Sequence, residues 1–251
     1  MKFYINKILL VLFILDTHDL FSSPISSGFY TGVTIGMEGL RGHRDDGLHT
    51  NPLSYDPQIF SENKRIKEHG HIASIFGGYL YRHHSYGIGG EGFFEAGKVA
   101  NKIDCHWIDN QDIAMSNNKG HYLTFVEKKN SFGFKVLLGG IFKENFVYLL
   151  FGSSMTQFRY SANVDYTVDF PSFETYPTEK SIRKLACSFD YGLGIQHQTG
   201  SWKFGVEAYC RRFKNQLFTF ALNPDLDPSP IVCTKVKPFI QGLSFKLAYA
   251  F

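Results

Sequence analysis

The last nine residues of the chain alternate strictly between large apolar side chains and smaller or polar ones. The segment runs Leu243-Ser244-Phe245-Lys246-Leu247-Ala248-Tyr249-Ala250-Phe251. Successive side chains of a β-strand point to opposite faces. One face therefore carries only Leu243, Phe245, Leu247, Tyr249 and Phe251, and the other carries Lys246 among small residues. Such a strand suits a wall with hydrocarbon on one side and a polar interior on the other.

The N-terminal segment has the pattern of a secretory signal peptide. Lys2 and Lys7 flank the start of an apolar run over residues 8–15. This run is too short to span a bilayer as a helix, which takes about 20 residues. The pattern predicts a signal peptide over residues 1–23, cleaved somewhere between Ser22 and Ser27, and a single domain over residues 24–251.

The composition points to an all-β chain whose aromatic side chains face an apolar environment outside their own core. Aromatic residues make up 16% of the chain, with 25 Phe and 14 Tyr, and there are 24 Gly. Period-two alternation is frequent and helical periodicity is scarce. The formal net charge is only +3, which gives no sign of a nucleic-acid partner.

Eight alternating segments predict an eight-stranded antiparallel up-and-down transmembrane β-barrel. Three connections between them are short and rich in turn-forming residues, at 82–85, 143–145 and 198–201. Four are long and polar, near 41–70, 99–131, 161–184 and 214–234. Short periplasmic turns and long extracellular loops on an even number of strands are typical of outer membrane barrels. The predicted strands are Gly28–Leu40, His71–Tyr81, Tyr86–Lys98, Phe132–Phe142, Phe146–Tyr160, Leu185–His197, Trp202–Phe213 and Lys235–Phe251.

Three of these strands, Phe132–Phe142, Leu185–His197 and Trp202–Phe213, separate cleanly into an apolar outward face and a polar or small inward face. Two others, His71–Tyr81 and Phe146–Tyr160, carry apolar residues on both parities. Their register is not fixed by the pattern.

Several segments resemble strands of small bacterial outer membrane β-barrel proteins, such as the OmpA-type transmembrane domain and porin-like surface antigens. They are residues 28–36 (Gly-Phe-Tyr-Thr-Gly-Val-Thr-Ile-Gly), 88–91 (Ile-Gly-Gly-Glu), 206–209 (Val-Glu-Ala-Tyr) and the terminal Phe251. The resemblance implies a Gram-negative outer membrane location and an insertion signal for the barrel-assembly machinery at Phe245, Leu247, Tyr249 and Phe251. It also implies a monomer in contact with outer membrane lipid, whose loops act in adhesion, host contact or surface exposure.

Inward parity predicts a network of charges in the barrel interior. An eight-stranded barrel is just wide enough for its own side chains to fill it, and buried charges are costly unless paired. A salt-bridge network is therefore expected, with a narrow gated ion path as the functional alternative. The predicted members are five acids, Glu38, Glu91, Glu95, Asp190 and Glu207, and four bases, Lys135, Lys203, Arg211 and Lys246.

The four cysteines leave two interpretations open. Cys187 and Cys210 would lie opposite each other on the outward face if the hairpin between their strands centres near Gln198, and an exported protein can form disulfides. Alternatively both are unpaired apolar side chains in lipid. Cys105 and Cys233 are candidates for a staple between loops.

No catalytic or metal site is predicted from the histidines. Neither His69 and His71 nor His83-His84-Ser85 has the spacing of a zinc site. His83, His84 and Ser85 fall on the predicted periplasmic side, as do His197 and Ser201, so no Ser/His/acid set forms at the outer rim. We predict no cofactor and no enzymatic activity, with a lipid-A-modifying enzyme as the alternative.

Aromatic residues near the short turns predict an interfacial girdle. Its predicted members are Tyr79, Tyr81, Tyr86, Phe142, Phe146, Tyr148, Trp202, Tyr249 and Phe251. Two alternatives to a filled surface protein stay open, which are a narrow channel for small or hydrophobic compounds and a soluble ligand-binding barrel with its apolar face turned inward.

Overall fold

The computed structural model describes Ile25 and residues 27–49, 60–109, 118–167, 175–221 and 231–251. Residues 1–23, the predicted signal peptide, lie outside this described part. Every regular element within it is a β-strand. None of the residues described forms a helix long and apolar enough to cross a membrane.

Ten strands pair antiparallel in one sheet. They are β1 (Gly28–His49), β2 (Phe60–His83), β3 (Tyr86–Gly97), β4 (Val99–Asp109), β5 (Asn118–Phe142), β6 (Asn145–Thr167), β7 (Thr175–Thr199), β8 (Trp202–Phe213), β9 (Gln216–Ala221) and β10 (Ile231–Ala250).

Eight of these strands close into a ring. The order is β1-β2-β3-β5-β6-β7-β8-β10, and β10 pairs back with β1 from Tyr30↔Ala250 to His49↔Ile231. The other two are continuations. The β3–β5 ladder ends at Glu95↔Ser131 and β4 resumes on the same partner at Val99↔Lys128, while β9 follows β8 along β10. The predicted eight-stranded antiparallel barrel is confirmed.

Three two-residue turns join strands at one end of the ring, which we call the short-turn end; the other is the long-connection end. The turns are residues 84–85, 143–144 and 200–201. Their first residues have positive φ, 54° at His84, 54° at Lys143 and 58° at Gly200. Positive φ in a two-residue hairpin matches the right-handed twist of the flanking strands.

The strands extend well beyond the boundaries predicted at the long-connection end. β1 continues to His49 instead of ending at Leu40, and β5 begins at Asn118 instead of Phe132. Much of the predicted loop sequence is therefore strand; residues 50–59, 110–117, 168–174 and 222–230 lie outside the described residues. The prediction relied on outward apolar side chains. Where a strand has polar residues on its outer face it keeps its backbone hydrogen bonds but loses the apolar alternation. The alternation therefore ends before the strand does.

Past the interruptions in β3/β4 and β8/β9 the ring divides into two sheets. The β2–β3 ladder ends at Ile72↔Gly97, and the β7–β8 ladder ends at Ser188↔Phe213. Beyond these pairs, in the part of the chain described, β9-β10-β1-β2 forms one sheet and β4-β5-β6-β7 forms another. Their inner faces meet in the upper apolar cluster, Leu40, Ile66, Val99, Val126, Phe158, Tyr160, Ala162, Ala186, Phe213, Phe218, Val236 and Ile240.

The structure fixes the two registers that the pattern left open. In β2, Ile72, Phe76 and Leu80 point inward and are at most 5% exposed, and in β6 Phe146 and Tyr148 are 1% and 2% exposed. The assignment of Phe146 and Tyr148 to the outer girdle was therefore wrong. Both parities are apolar because the interior is also apolar near the short turns. This lower apolar cluster comprises Ile25, Tyr30, Ile72, Phe76, Leu80, Phe93, Leu137, Ile141, Phe146, Tyr148, Leu150, Tyr209, Ala248 and Ala250.

The remaining girdle residues point outward near the short-turn end. Tyr249 packs edge-on against Trp202 at a centroid distance of 5.3 Å and against Phe251 at 5.5 Å. The backbone N–H of Phe251 donates to the carbonyl of Phe29 at 3.0 Å, which holds the last residue against β1. The outward set is Tyr79, Tyr81, Tyr86, Phe142, Trp202, Tyr249 and Phe251.

The closing register can be tested by cross-linking. Ile35 and Phe245 are Cα partners, and opposite residues in an antiparallel pair lie about 4.5–5.5 Å apart, within reach of a disulfide. With the native cysteines changed to Ser, Ile35→Cys/Phe245→Cys should oxidise to a circularised chain detectable on a denaturing gel. Ile35→Cys/Leu247→Cys, displaced by two residues, should stay open; equal cross-linking of both pairs would contradict the register.

Candidate functional site

All nine charges predicted for the interior point into the ring. Eight are buried, from 0% exposed for Glu91 and Glu207 to 6% for Lys246, and the ninth, Lys135, has a side chain 11% exposed. In each strand the charged residue and its immediate neighbours point to opposite faces, and the charged residue has the inward position. Eight of the nine form two adjoining hydrogen-bonded groups, and the remaining one, Lys203, lies over the Tyr30 ring.

The first group is built around Glu38 and Glu95. Lys128 Nζ donates to Glu38 at 2.5 Å and to Glu95 at 2.6 Å. Arg211 makes a two-pronged contact with Glu95, at 2.7 and 2.8 Å, and a third bond to Glu38 at 3.1 Å. Tyr209 Oη also donates to Glu38 at 2.8 Å. Residues from β1, β3, β5 and β8 thus meet at one point of the interior.

Asp190 extends this group toward β6 and β7. Its carboxylate lies 3.2 Å from Arg211 Nε. It also accepts hydrogen bonds from Ser188 Oγ at 2.5 Å and Ser154 Oγ at 3.1 Å. Short hydroxyl side chains therefore supply the donors that a buried carboxylate needs.

The second group joins Glu91 and Glu207 through Lys246. Lys246 Nζ donates to both oxygens of Glu91, at 2.5 and 2.7 Å, and to Glu207 at 2.8 Å. Lys135 Nζ donates to the other oxygen of Glu207 at 2.8 Å. Two tyrosines complete the coordination, because Tyr30 donates to Glu91 and Tyr148 to Glu207, each at 2.9 Å.

Aromatic rings of the lower apolar cluster lie beneath the cations. Lys203 Nζ is 4.3 Å from the centroid of the Tyr30 ring, and Lys246 Nζ is 4.4 Å from that of Phe76. Lys135 Nζ is 4.9 Å from the Phe93 centroid. Cation–π contacts of this kind are stronger when desolvated, so the rings stabilise charges that carboxylates do not fully surround.

Lys128 is the member that sequence reasoning missed. Its position fell inside the predicted loop 99–131, but β5 starts at Asn118 and Lys128 immediately precedes the irregularity between Lys128 and Ser131. Its addition changes the predicted five acids and four bases into five of each. The interior network is therefore neutral, which removes the unpaired carboxylate that the predicted set contained.

A third buried polar group lies at the long-connection side of the upper apolar cluster. Arg44 Nε is 2.8 Å from Asp46 Oδ2, and Arg44 also donates to Thr124 Oγ1. Thr234 Oγ1 lies 2.5 Å from Asp46 Oδ1 and 2.7 Å from Tyr160 Oη. These contacts join the two sheets above the barrel. No sequence pattern identified them, because residues 41–70 were assigned to a loop.

Apolar and charged layers thus alternate along the interior. The lower apolar cluster, the two charged groups, the upper apolar cluster and the Arg44 group follow one another from the short turns upward. In the described part of the chain this column consists of buried side chains bonded across the ring. The arrangement can hold the wall rigid, and it has the character of a plug rather than a water-lined path.

Of the two interpretations left open for Cys187 and Cys210, the structure has the unpaired one. The β7–β8 register places Cys210 opposite Tyr191, and Cys187 lies beyond the last pair of that ladder, Ser188↔Phe213. The hairpin centres on residues 200–201, two positions later than assumed, which offsets the two cysteines along the strands. Cys187, Cys210 and Cys233 are free thiols; the side chain of Cys105 lies outside the description.

His83, His84, Ser85, His197 and Ser201 lie at the short-turn end, whereas His69 and His71 lie farther up β2, opposite Gly39 and Met37. His83 and His84 have ring centroids 4.4 Å apart, and His197 Nδ1 lies 3.2 Å from Asn145 Oδ1. Among the residues that the structure covers, no three His, Cys, Asp or Glu side chains converge as a metal site would need.

No family model and no curated protein matches the chain. Among solved structures the chain is similar to Ail, the attachment invasion locus protein of Yersinia pestis, with 12% identity, 88% of this chain and 99% of that chain covered, and a TM-score of 0.32. It is also similar to the outer membrane protease OmpT from Escherichia coli (10% identity, 90% and 99% covered, TM-score 0.35). Neisserial surface protein A gives 11% identity, 90% and 100% coverage and a TM-score of 0.32. The eight-stranded ring follows from the strand pairing of this chain alone.

The charged groups predict a large difference between interior and surface substitutions. Glu207→Gln removes the carboxylate shared by Lys135 and Lys246 and should lower the free energy of unfolding by about 3–5 kcal/mol. Asp104→Asn, at an exposed pair with Lys102, should change it by less than about 1 kcal/mol. Urea unfolding in detergent measures both, and equal effects would exclude a buried, paired Glu207.

Proposed function

We propose that the protein is an integral outer membrane β-barrel of a Gram-negative bacterium, with a filled interior and a surface role at its long-connection end. The observation that carries the proposal is a continuous band of exposed apolar side chains around a ring whose charges are inside. Water-soluble proteins rarely expose contiguous apolar patches beyond a few hundred Å².

The band draws on every strand of the ring. Ile35 is 64% exposed, Ile75 63%, Phe134 54% and Phe204 48%. Its further members include Val33, Met37, Ile88, Phe94, Phe132, Leu138, Val147, Leu149, Phe151, Met155, Phe189, Leu193, Leu243, Phe245 and Leu247. With five acids and five bases buried inside, the usual distribution of apolar and charged residues is inverted. Hydrocarbon around the barrel accounts for both halves of that inversion.

The outer membrane is the proposed location because closed β-barrels with an apolar exterior and an even number of strands are its characteristic membrane proteins. Phe245, Leu247, Tyr249 and Phe251 form the outward face of the closing strand, where the barrel-assembly machinery would engage them. The OmpA-type resemblance of the sequence and a cleaved signal peptide over residues 1–23 belong to the same proposal.

A surface-exposed protein without enzymatic activity fits the interior better than a channel. The charged groups are bonded across the ring and enclosed by apolar clusters on both sides. Function then falls to the long-connection end, where two sheets rise beyond the band and present their outer faces to host or surface ligands. One chain closes the ring by itself, so a monomer suffices.

Membrane location predicts a depth-dependent cost for charge on the outer face. Ile35→Arg, near the middle of the band, should destabilise the protein in a bilayer by about 2–4 kcal/mol. Leu185→Arg, equally exposed but next to Arg183 at the upper margin, should cost about 0–1 kcal/mol. Unfolding in phosphatidylcholine vesicles measures both. A wild-type chain that is monodisperse in buffer without detergent would overturn the proposal.

The filled interior predicts an electrically silent protein. Purified wild type reconstituted in a planar bilayer should give no stable unitary conductance steps, because no water path passes the bonded charges. The double variant Lys128→Ala/Arg211→Ala removes the two cations bonded to Glu38 and Glu95. Its conductance should exceed that of the wild type. Stable steps in the wild type would instead support the channel.

A further inference from the structure

An exposed basic surface lies on the outer face of β10, β1 and β2, just above the apolar band. It consists of Arg41 and His43 on β1, Arg65 and Lys67 on β2, and Lys237 on β10. All five are exposed and share the outward parity of the membrane-facing residues below them. Among the side chains that the structure describes here, the one carboxylate on this face, Asp45, lies at its far margin opposite Lys235.

The strand register places two cations, Arg41 and Lys67, directly opposite each other and sets His43 between Arg65 and Lys237. Like charges opposite each other destabilise a sheet. In the described part of the structure, Arg41, Arg65, Lys67 and Lys237 make neither an ion pair nor a side-chain hydrogen bond. The fold therefore retains repulsion here that a bound anion would relieve.

The outer face of β4 and β5 is different. There Glu127 is paired with Lys98 at 3.1 Å and Lys129 at 3.5 Å, and Lys102 is paired with Asp104 at 3.2 Å. Lys98, Lys102 and Lys129 thus have carboxylate partners within the protein. Among the residues described, Arg159 and Arg183 on β6 and β7 are also Cα partners without an ion pair, but the β10-β1-β2 surface gathers five basic residues on three adjoining strands.

Depth distinguishes a lipid partner from a soluble one. Arg41 is twelve residues along β1 from Phe29, which lies in the girdle at the lower edge. At about 3.3 Å per residue and a tilt of about 40°, this is about 30 Å along the barrel axis. The hydrocarbon core is also about 30 Å thick, with headgroups occupying the next 5–8 Å or so. Arg41 and Lys67 therefore lie at the level of headgroup phosphates rather than in free solution.

We infer that this basic surface binds the phosphate groups of membrane lipids in the leaflet nearest the long-connection end. Arg41 and Arg65 present planar guanidinium groups suited to two-pronged phosphate contacts, and Lys67 and Lys237 add point charges beside them. The acyl chains of the bound lipid lie along Met37, Ile35 and Leu243 directly below. The inference rests on the proposed membrane location.

The test compares two doubly substituted proteins with the same loss of charge. Arg41→Gln/Lys67→Gln removes cations that have no partner, whereas Lys98→Gln/Lys102→Gln removes cations paired within the protein. Each protein, in non-ionic detergent micelles, is titrated with phosphatidic acid, and the Kd of the first bound lipid is measured by native mass spectrometry. Because each basic residue near an anionic surface contributes about fivefold, the first variant should weaken binding about 30-fold and the second less than about fivefold.

Further arms separate the alternatives. Phosphatidylcholine should bind without discrimination between the variants, and neither inorganic phosphate nor soluble dextran sulfate should compete at matched phosphate or sulfate concentration. Equal losses in both variants, or competition by dextran sulfate at the same residues, would overturn a lipid site. If wild type does not fold into micelles or vesicles at all, the membrane proposal fails first; if it folds but does not prefer phosphatidic acid, only the lipid site fails.

Discussion

Closure of β10 onto β1 is the constraint on which the rest of the molecule depends. Hydrocarbon offers no hydrogen-bond partner to a backbone N–H or C=O, so every such group of a membrane-spanning sheet must be paired within the protein. The twenty Cα partners from Tyr30↔Ala250 to His49↔Ile231 provide this for the two strands that are most distant in sequence. Without that seam the sheet would have two open edges.

A ring of eight strands then dictates what its interior contains. The lumen is narrow enough for side chains from opposite walls to touch, as Arg211 of β8 reaches Glu95 of β3 at 2.7 Å and Tyr148 of β6 reaches Glu207 of β8 at 2.9 Å. Charges in such a space must neutralise one another because water cannot. Apolar residues on both sides of the charged groups keep solvent from them. The number of strands in the ring therefore determines which side chains its interior can hold.

Much of this could be anticipated where chemistry alternates cleanly along a strand. In β8 the inward and outward faces could be assigned from the sequence, because Trp202 and Phe204 are outward and Lys203 and Glu207 are inward. The pattern failed where interior and exterior are equally apolar, which is why Phe146 and Tyr148 were placed on the wrong side. It failed again where the strands continue past the outward apolar band, so that Lys128, Arg44 and Asp46 fell within predicted loops. The possible pairing of Cys187 with Cys210 depended on the position of the β7–β8 turn, which lies two residues later than assumed.

The two interrupted strands give the protein a mechanical division. Below Gly97 and Phe213 the cylinder is continuous. Above them, among the residues that the structure describes, side-chain bonds span the seams: Asn101 Nδ2 donates to Glu68 at 3.1 Å and Lys184 donates to the carbonyl of Leu217. Side-chain bonds of this kind break and reform more readily than a backbone ladder. The upper sheets are therefore held to each other by the upper apolar cluster and the Arg44 group rather than by backbone hydrogen bonds, so a substitution there loosens the contact between the sheets without opening the ladders of the ring below.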